Sequence, residues 1–248
     1  SYGLSPDLAL KPDIGAPGGN IYSTYPLEAG GYATLSGTSM ASPHVAGAAA
    51  LYLQAHPQTP ATMMRTVLQN SADPHVWGGN PALGFLDNVH RQGAGMLDID
   101  DAILATVQIT PGKIAVGEGE EGPKTFPITL HNIGKFDATF DVGSVNALST
   151  GGTIAPSFFL SDAVVVFDSY QVTVPANGYA TVNATIYPAT GLTYGQYGGY
   201  ITFTPVEGGQ SYSVPFAGFV GDYQGIQVLM PTANGFPWLA KLSGGSYL

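Results

Sequence analysis

Gly37-Thr38-Ser39-Met40-Ala41-Ser42-Pro43-His44-Val45-Ala46-Gly47 sets a hydroxyl pair ahead of a run in which nearly every residue is small or apolar. The pattern predicts a helix from Met40 to Ala55. Pro43 falls in its first turn, where a missing N–H costs nothing, and Pro57 lies just beyond its end. Gly47, Ala48, Ala49 and Ala50 cover every face, which predicts a helix buried all round rather than a surface amphipath. A serine at such a helix start stands among unpaired backbone N–H groups, and these can hold the negative charge that develops on a carbonyl oxygen during acyl transfer. A lone Ser there reads as a helix cap. The eleven-residue context makes Ser39 a nucleophile instead.

A serine hydroxyl needs an oriented base to take its proton. Of the five histidines, His44 is nearest in sequence, but five helical positions at ~100° each put it about 140° around the axis from Ser39. It reads as structural. His56, beside Pro57, complements the helix dipole at its C-terminal end, and His75, His90 and His131 lie in loop or strand settings. None has an Asp beside it in a triad pattern. A G-x-S-x-G elbow is excluded because Tyr32 to Gly37 is too polar for the buried strand that the elbow requires. The chain thus carries one part of a catalytic group.

The 248 residues are 44% hydrophobic, enough for a packed core. Seven Lys and Arg against 17 Asp and Glu give a net charge of -10, which argues against nucleic acid and anionic membrane as partners. Only 10% of residues are charged, a surface that suits a secreted protein. The absence of cysteine removes disulfides, thiolate catalysis and Cys-ligated zinc. No apolar run approaches the ~18 residues of a membrane span, and Ser1 to Pro6 does not resemble a signal peptide. A start at Ser, within what reads as strand and loop, predicts a processed or excised piece.

Residues 1–105 carry helical signals, 106–222 alternate with period two, and 223–248 give no clear element, predicting a tail over a sandwich edge or another chain. Leu10 to Gly18 and Asn20 to Thr24 read as extended segments of a thin sheet. A second helix is expected after Thr59 as N-cap, with Pro60 first and Met63, Met64, Val67 and Leu68 as a stripe, lying on the outside. Asp98, Asp100 and Asp101 read as a helix cap rather than a calcium loop, whose spacing they lack; calcium is possible but not assignable, and no other cofactor is implied. Phe126, Ile128 and Leu130, then Val182, Ala184 and Ile186, then Ile201, Phe203, Tyr212, Val214 and Phe216 mark half-buried strands. With turns at Asn177-Gly178 and Gly208-Gly209 they predict roughly seven strands in a sandwich. Asn183-Ala184-Thr185 is a glycosylation sequon whose Asn points outward.

The Gly37 to Gly47 block resembles the active-site serine block of the subtilisin-like serine proteases. Leu10 to Gly18 and Gln92 to Leu97 are similar to the segments that precede the serine and close the catalytic domain there. Thr106 to Asp222 resembles the fibronectin-III-like domain of larger secreted subtilases, including the minor extracellular protease and C5a-peptidase groups. The resemblance implies an α/β fold, the C-terminal portion of a parallel-sheet domain incomplete alone, followed by an all-β sandwich. It also implies Ser39 as nucleophile and as a backbone donor to the oxyanion hole, with Gly37 and Thr38 supporting the loop. The catalytic Asp and His and the oxyanion Asn would precede residue 1, and Asp13 is structural. The expected partners are therefore the N-terminal part of the same precursor, held non-covalently, and a protein or peptide substrate outside the cell. The rival reading is a non-catalytic binding or structural fragment.

Overall fold

The computed structural model describes residues 3–151, 157–191 and 194–226, together with four two-residue strands between 229 and 247; most of the stretch on which the tail expectation rests lies outside these. In the first part, β1 (Ile21–Thr24) pairs antiparallel with β2 (Tyr32–Leu35), and α1 (Thr38–Ala55), α2 (Met64–Asn70), α3 (Val89–Gln92) and α4 (Ile99–Leu104) follow. The expected thin sheet is thus a hairpin of 21–24 with 32–35. Leu10 to Gly18 is not part of it and makes a single parallel bridge, Gly15 with Met96.

The helix at α1 begins two residues earlier than expected, because the Gly37 carbonyl accepts from both Met40 N (3.0 Å) and Ala41 N (3.3 Å). Thr59 does not cap α2. Pro60 is extended, residues 61–63 form a 3-10 turn, and the α-helix starts at Met64. Nor does α2 lie outside: Val67, Leu68, Gln69 and Asn70 are buried, because α4 covers the helix on one side and the sandwich on the other. Asp98 does cap α4, its Oδ1 accepting from Asp101 N at 3.0 Å.

The rest is a sandwich of two sheets. One has the order β3 (Val107–Thr110), β5 (Lys124–Asn132), β11 (Tyr179–Tyr187), β9 (Val164–Phe167), all antiparallel. The other runs β10 (Gln171–Val174), β6 (Ala138–Asn146), β12 (Gln196–Pro205), β13 (Tyr212–Phe219), β4 (Ile114–Glu118), with β7 (Leu148–Gly151) pairing with β12 and with β8 (Ser157–Leu160). There are eleven strands here rather than about seven, since the four-residue strands β3, β7, β8, β9 and β10 are too short for alternation to mark them. Gly208-Gly209 turns the β12–β13 hairpin, whereas Asn177-Gly178, with Asn177 at φ 53°, carries the chain from one sheet to the other. The alternating residues meet as expected: Ile128, Leu130, Val182, Ala184 and Ile186 face Phe140, Val142, Ile201, Phe203, Val214 and Phe216 in one buried core.

All eight residues of β13 are buried. Its second face, with that of β12, meets the first part of the chain in a core of Leu10, Val89, Ala147, Tyr200 and Ala217. Polar groups close the same joint. Tyr200 OH donates to Gly93 O (2.9 Å), Asn88 Nδ2 to Leu148 O (2.6 Å), and Ile109 N to Asn70 Oδ1 (2.8 Å). Lys113 Nζ reaches both Leu10 O (2.7 Å) and Asp13 Oδ1 (2.6 Å). Burial acts to raise the Asp13 pKa, but Lys11 and Lys113 outweigh it and hold the carboxyl below its usual range. Truncating Asn70 to Ala leaves the buried Ile109 N–H without an acceptor, at a cost of about 1–3 kcal/mol. Urea unfolding of Asn70→Ala is expected to show a lower midpoint with the slope unchanged.

Candidate active site

Ser39 is the second residue of α1, exposed, with Gly37 as N-cap. Two contacts hold the loop ahead of it: Gly37 N donates to Gly18 O (2.7 Å) and Asn20 N donates to Ser36 Oγ (2.8 Å). Gly18 permits this approach, since a Cβ there would stand 2.8 Å from Gly37 O. Gly37 itself has φ 150° and ψ 170°, a backbone region essentially reserved for glycine. Met40 N and Ala41 N are taken by Gly37 O. The N–H groups of Thr38 and Ser39 have no acceptor among the described residues, so the first turn presents two donors beside the Ser39 hydroxyl.

The five imidazoles are engaged elsewhere. His44 Nδ1 turns back on Met40 O (2.8 Å), His56 Nε2 meets Ile103 O (2.8 Å) and His75 Nδ1 meets Asp73 O (3.0 Å). His90 Nε2 lies 2.5 Å from Thr150 Oγ1, and His131 stacks on Tyr179 with ring centroids 4.1 Å apart. Among the described residues none hydrogen-bonds Ser39.

The helix bearing Ser39 is open where full burial was expected. Only Ala48 and Tyr52 of its 18 residues are buried, and Leu51 and Leu53 are exposed. A groove of about 780 Å3 runs along Ser39, Pro43, Gly47 and Leu51, one step of i+4 at a time, between α1 and β1, with Leu97 and Ile99 also lining it. A second, of about 580 Å3, follows Ser42, Val45, Ala46 and Ala49 toward Met64 and Leu68. The lining residues of both are ones that composition alone does not single out. Pro17-Gly18 was the available signal for the anchor below Gly37.

Asn183 is exposed on β11, and its Nδ2 donates to Asp168 Oδ2 (2.7 Å). Among the described residues, the carboxylates close enough to share an ion are Glu118, Glu120 and Asp222 on the sandwich, with ligand atoms within 4.8 Å of one another. Asp98, Asp100 and Asp101 do not form such a group.

Residues 1–95 match the model of the subtilase family, and residues 114–217 match that of an Fn3-like domain. The chain is therefore subtilase-family sequence joined to an Fn3-like sandwich. Over its whole length it is 30% identical to the PII-type proteinase of Lacticaseibacillus paracasei, of which it covers 14%. It is 33% identical over 161 residues to the minor extracellular protease Vpr of Bacillus subtilis, with 58% of this chain and 19% of that protein aligned. Against the C5a peptidase of Streptococcus pyogenes the figures are 28% identity over 252 residues, 92% of this chain and 21% of that protein. The chain thus spans about a seventh of the length of the first of these relatives.

Forcing a Cβ onto Gly37 is expected to cost on the order of 1–3 kcal/mol. Thermal unfolding of Gly37→Ala, compared with Gly19→Ala, where a Cβ meets nothing within 4 Å, isolates the backbone effect.

Proposed function

We propose that this chain is the nucleophile-bearing part of a serine endopeptidase that acts on protein or peptide substrates outside the cell. What carries the reading is Ser39 itself, exposed at the start of an 18-residue helix beside two unbonded N–H groups, while all five histidines are bound elsewhere. Ser39 Oγ attacks the scissile carbonyl, and the N–H of Ser39 stabilises the oxyanion. The imidazole that takes the proton, the Asp that orients it and an Asn side chain that completes the oxyanion hole come from polypeptide outside this chain. Gly37 and Thr38 hold the approach open for the substrate carbonyl. Water then cleaves the acyl-enzyme by the reverse proton route.

The two grooves along α1 support the same partner. The Gly and Ala residues of α1 offer little side chain of their own, and its open faces carry apolar surface worth ~25 cal/mol per Å2 when covered. The completing polypeptide lies against them without a disulfide to this chain, which has no cysteine. Among the described residues no helix is long and apolar enough to cross a membrane, and the named relatives include an extracellular protease.

A fluorophosphonate probe is expected to label Ser39 in the completed assembly and not in the isolated chain. Ser39→Ala abolishes labelling and lowers kcat by about 10^6, the magnitude known for subtilisin triads. With a neutral imidazole as base, the rate falls below about pH 6.5. Absence of labelling in the completed assembly overturns the reading in favour of a binding or structural role.

A further inference from the structure

The joint between residues 3–105 and the sandwich encloses a titratable group that the proposed reaction does not use. His90, on α3, is 3% exposed. Its carbonyl accepts from Gly3 N (2.8 Å) and its Nε2 meets Thr150 Oγ1 of β7 (2.5 Å), so the residue ties the N-terminal segment and the sandwich to one short helix. Among the described residues its Nδ1 is buried without a partner, as are Asn88 Oδ1 two residues before it and Ser149 Oγ next to Thr150. A neutral imidazole tolerates this setting. An imidazolium, with two N–H donors to satisfy and a charge to solvate, does not.

Among the described residues, the surrounding groups offer such a charge no counter-ion. On its own helix Arg91 is a cation, paired at 3.2 Å with Asp87. β7 carries no titratable residue, β12 brings Tyr197 and Tyr200, and β13 brings Tyr212. Burial raises all three phenols above their usual range. In the N-terminal segment Asp7 is held by Ser5 Oγ (2.5 Å), and the exposed His75 is tied through its N–H to Gln92 (2.8 Å). Among the described residues no carboxylate pairs with His90.

We propose that His90 is an acid-sensitive latch: uncharged, it closes the joint between the Ser39-bearing segment and the sandwich, and its protonation opens that joint. Burial first, and then the charge of Arg91, push the imidazole from 6.5 down to about 4. The open form binds the proton more readily, so closure is complete above pH 6.5, weakens as pH falls through the window and loses no more below about pH 4. A shift of that size corresponds to about 300-fold in the closing equilibrium. The joint contains its own reporter, because Trp77 of the first part packs on Phe158 of β8 with ring centroids 5.3 Å apart.

The test uses the full chain carrying Trp238→Phe, which leaves Trp77 as the one indole. Its emission is expected to move to the red between pH 6.5 and 4 while the far-UV β signal persists. His90→Gln, uncharged at every pH, is expected to remove that transition. Should His90→Gln fail to fold, the imidazole of the unmutated residue is followed by NMR, with a titration midpoint between 4 and 6.5, coincident with the Trp77 shift, expected. An unchanged transition in His90→Gln, a midpoint near 6.5, or loss of the β signal together with the Trp77 shift overturns the proposal.

Discussion

Ten of the 18 residues of α1 are Gly, Ala, Ser or Thr, which leaves much of this helix without side chains to cover it, and this governs the rest of the molecule. It must be enclosed by other backbones, and here only the stripe through Ala48 and Tyr52 is enclosed. Tyr52 reaches Val67, Leu68 and Ala102, which explains why α2 and α4 turn inward on that side. The remaining faces leave the grooves along Ser39 and Ala46. Geometry at the first turn is fixed independently of them, through Gly18 and Gly37, so the hydroxyl and its two neighbouring N–H groups are presented whether or not the helix is covered.

The parts of the fold that the sequence disclosed are those with a local cause. The α1 helix follows from its composition and its two prolines, the α4 cap from Asp98, and the strands β5, β11 and β12 from short stretches of alternation around Ile128, Ala184 and Ile201. What stayed hidden was set by contacts distant in sequence. Nothing near Val67 announces that β13 will cover α2, and four-residue strands such as β7 and β9 take their identity from the neighbour they pair with. The place of Ser39 at the start of a helix was legible because its context is long. Ser36 as an anchor for Asn20 was not, since a hydroxyl bond across 16 residues leaves no pattern. His90 read as a loop or strand residue and proved to be a buried member of a four-residue helix.

The two parts of the chain meet through two kinds of contact. Apolar packing of Leu10, Val89, Tyr200 and Ala217 supplies adhesion, while hydrogen bonds that Asn88 and Tyr200 donate to, and Asn70 accepts from, backbone groups of the opposite part fix register. Each of these side chains meets a main-chain group that would otherwise be stranded in the dry interior. Adhesion without such bonds would tolerate sliding; these do not. Asp13, held between Lys11 and Lys113, adds an ionic tie beside the segment that leads through Gly15 and Gly18 to the serine loop.

The eight buried residues of β13 have a consequence for modularity. A strand with water on one side can be lifted out with its sandwich and transplanted as a cassette. One that is dry on both sides belongs equally to the helices that shelter it. Cutting the polypeptide between Ala105 and Thr106 would strip the shelter from Tyr200 and Ala217, turning an interior surface into a sticky exterior. For engineers who shuffle repeats among long proteases, the portable unit is not the sandwich but the sandwich together with the helices resting on it.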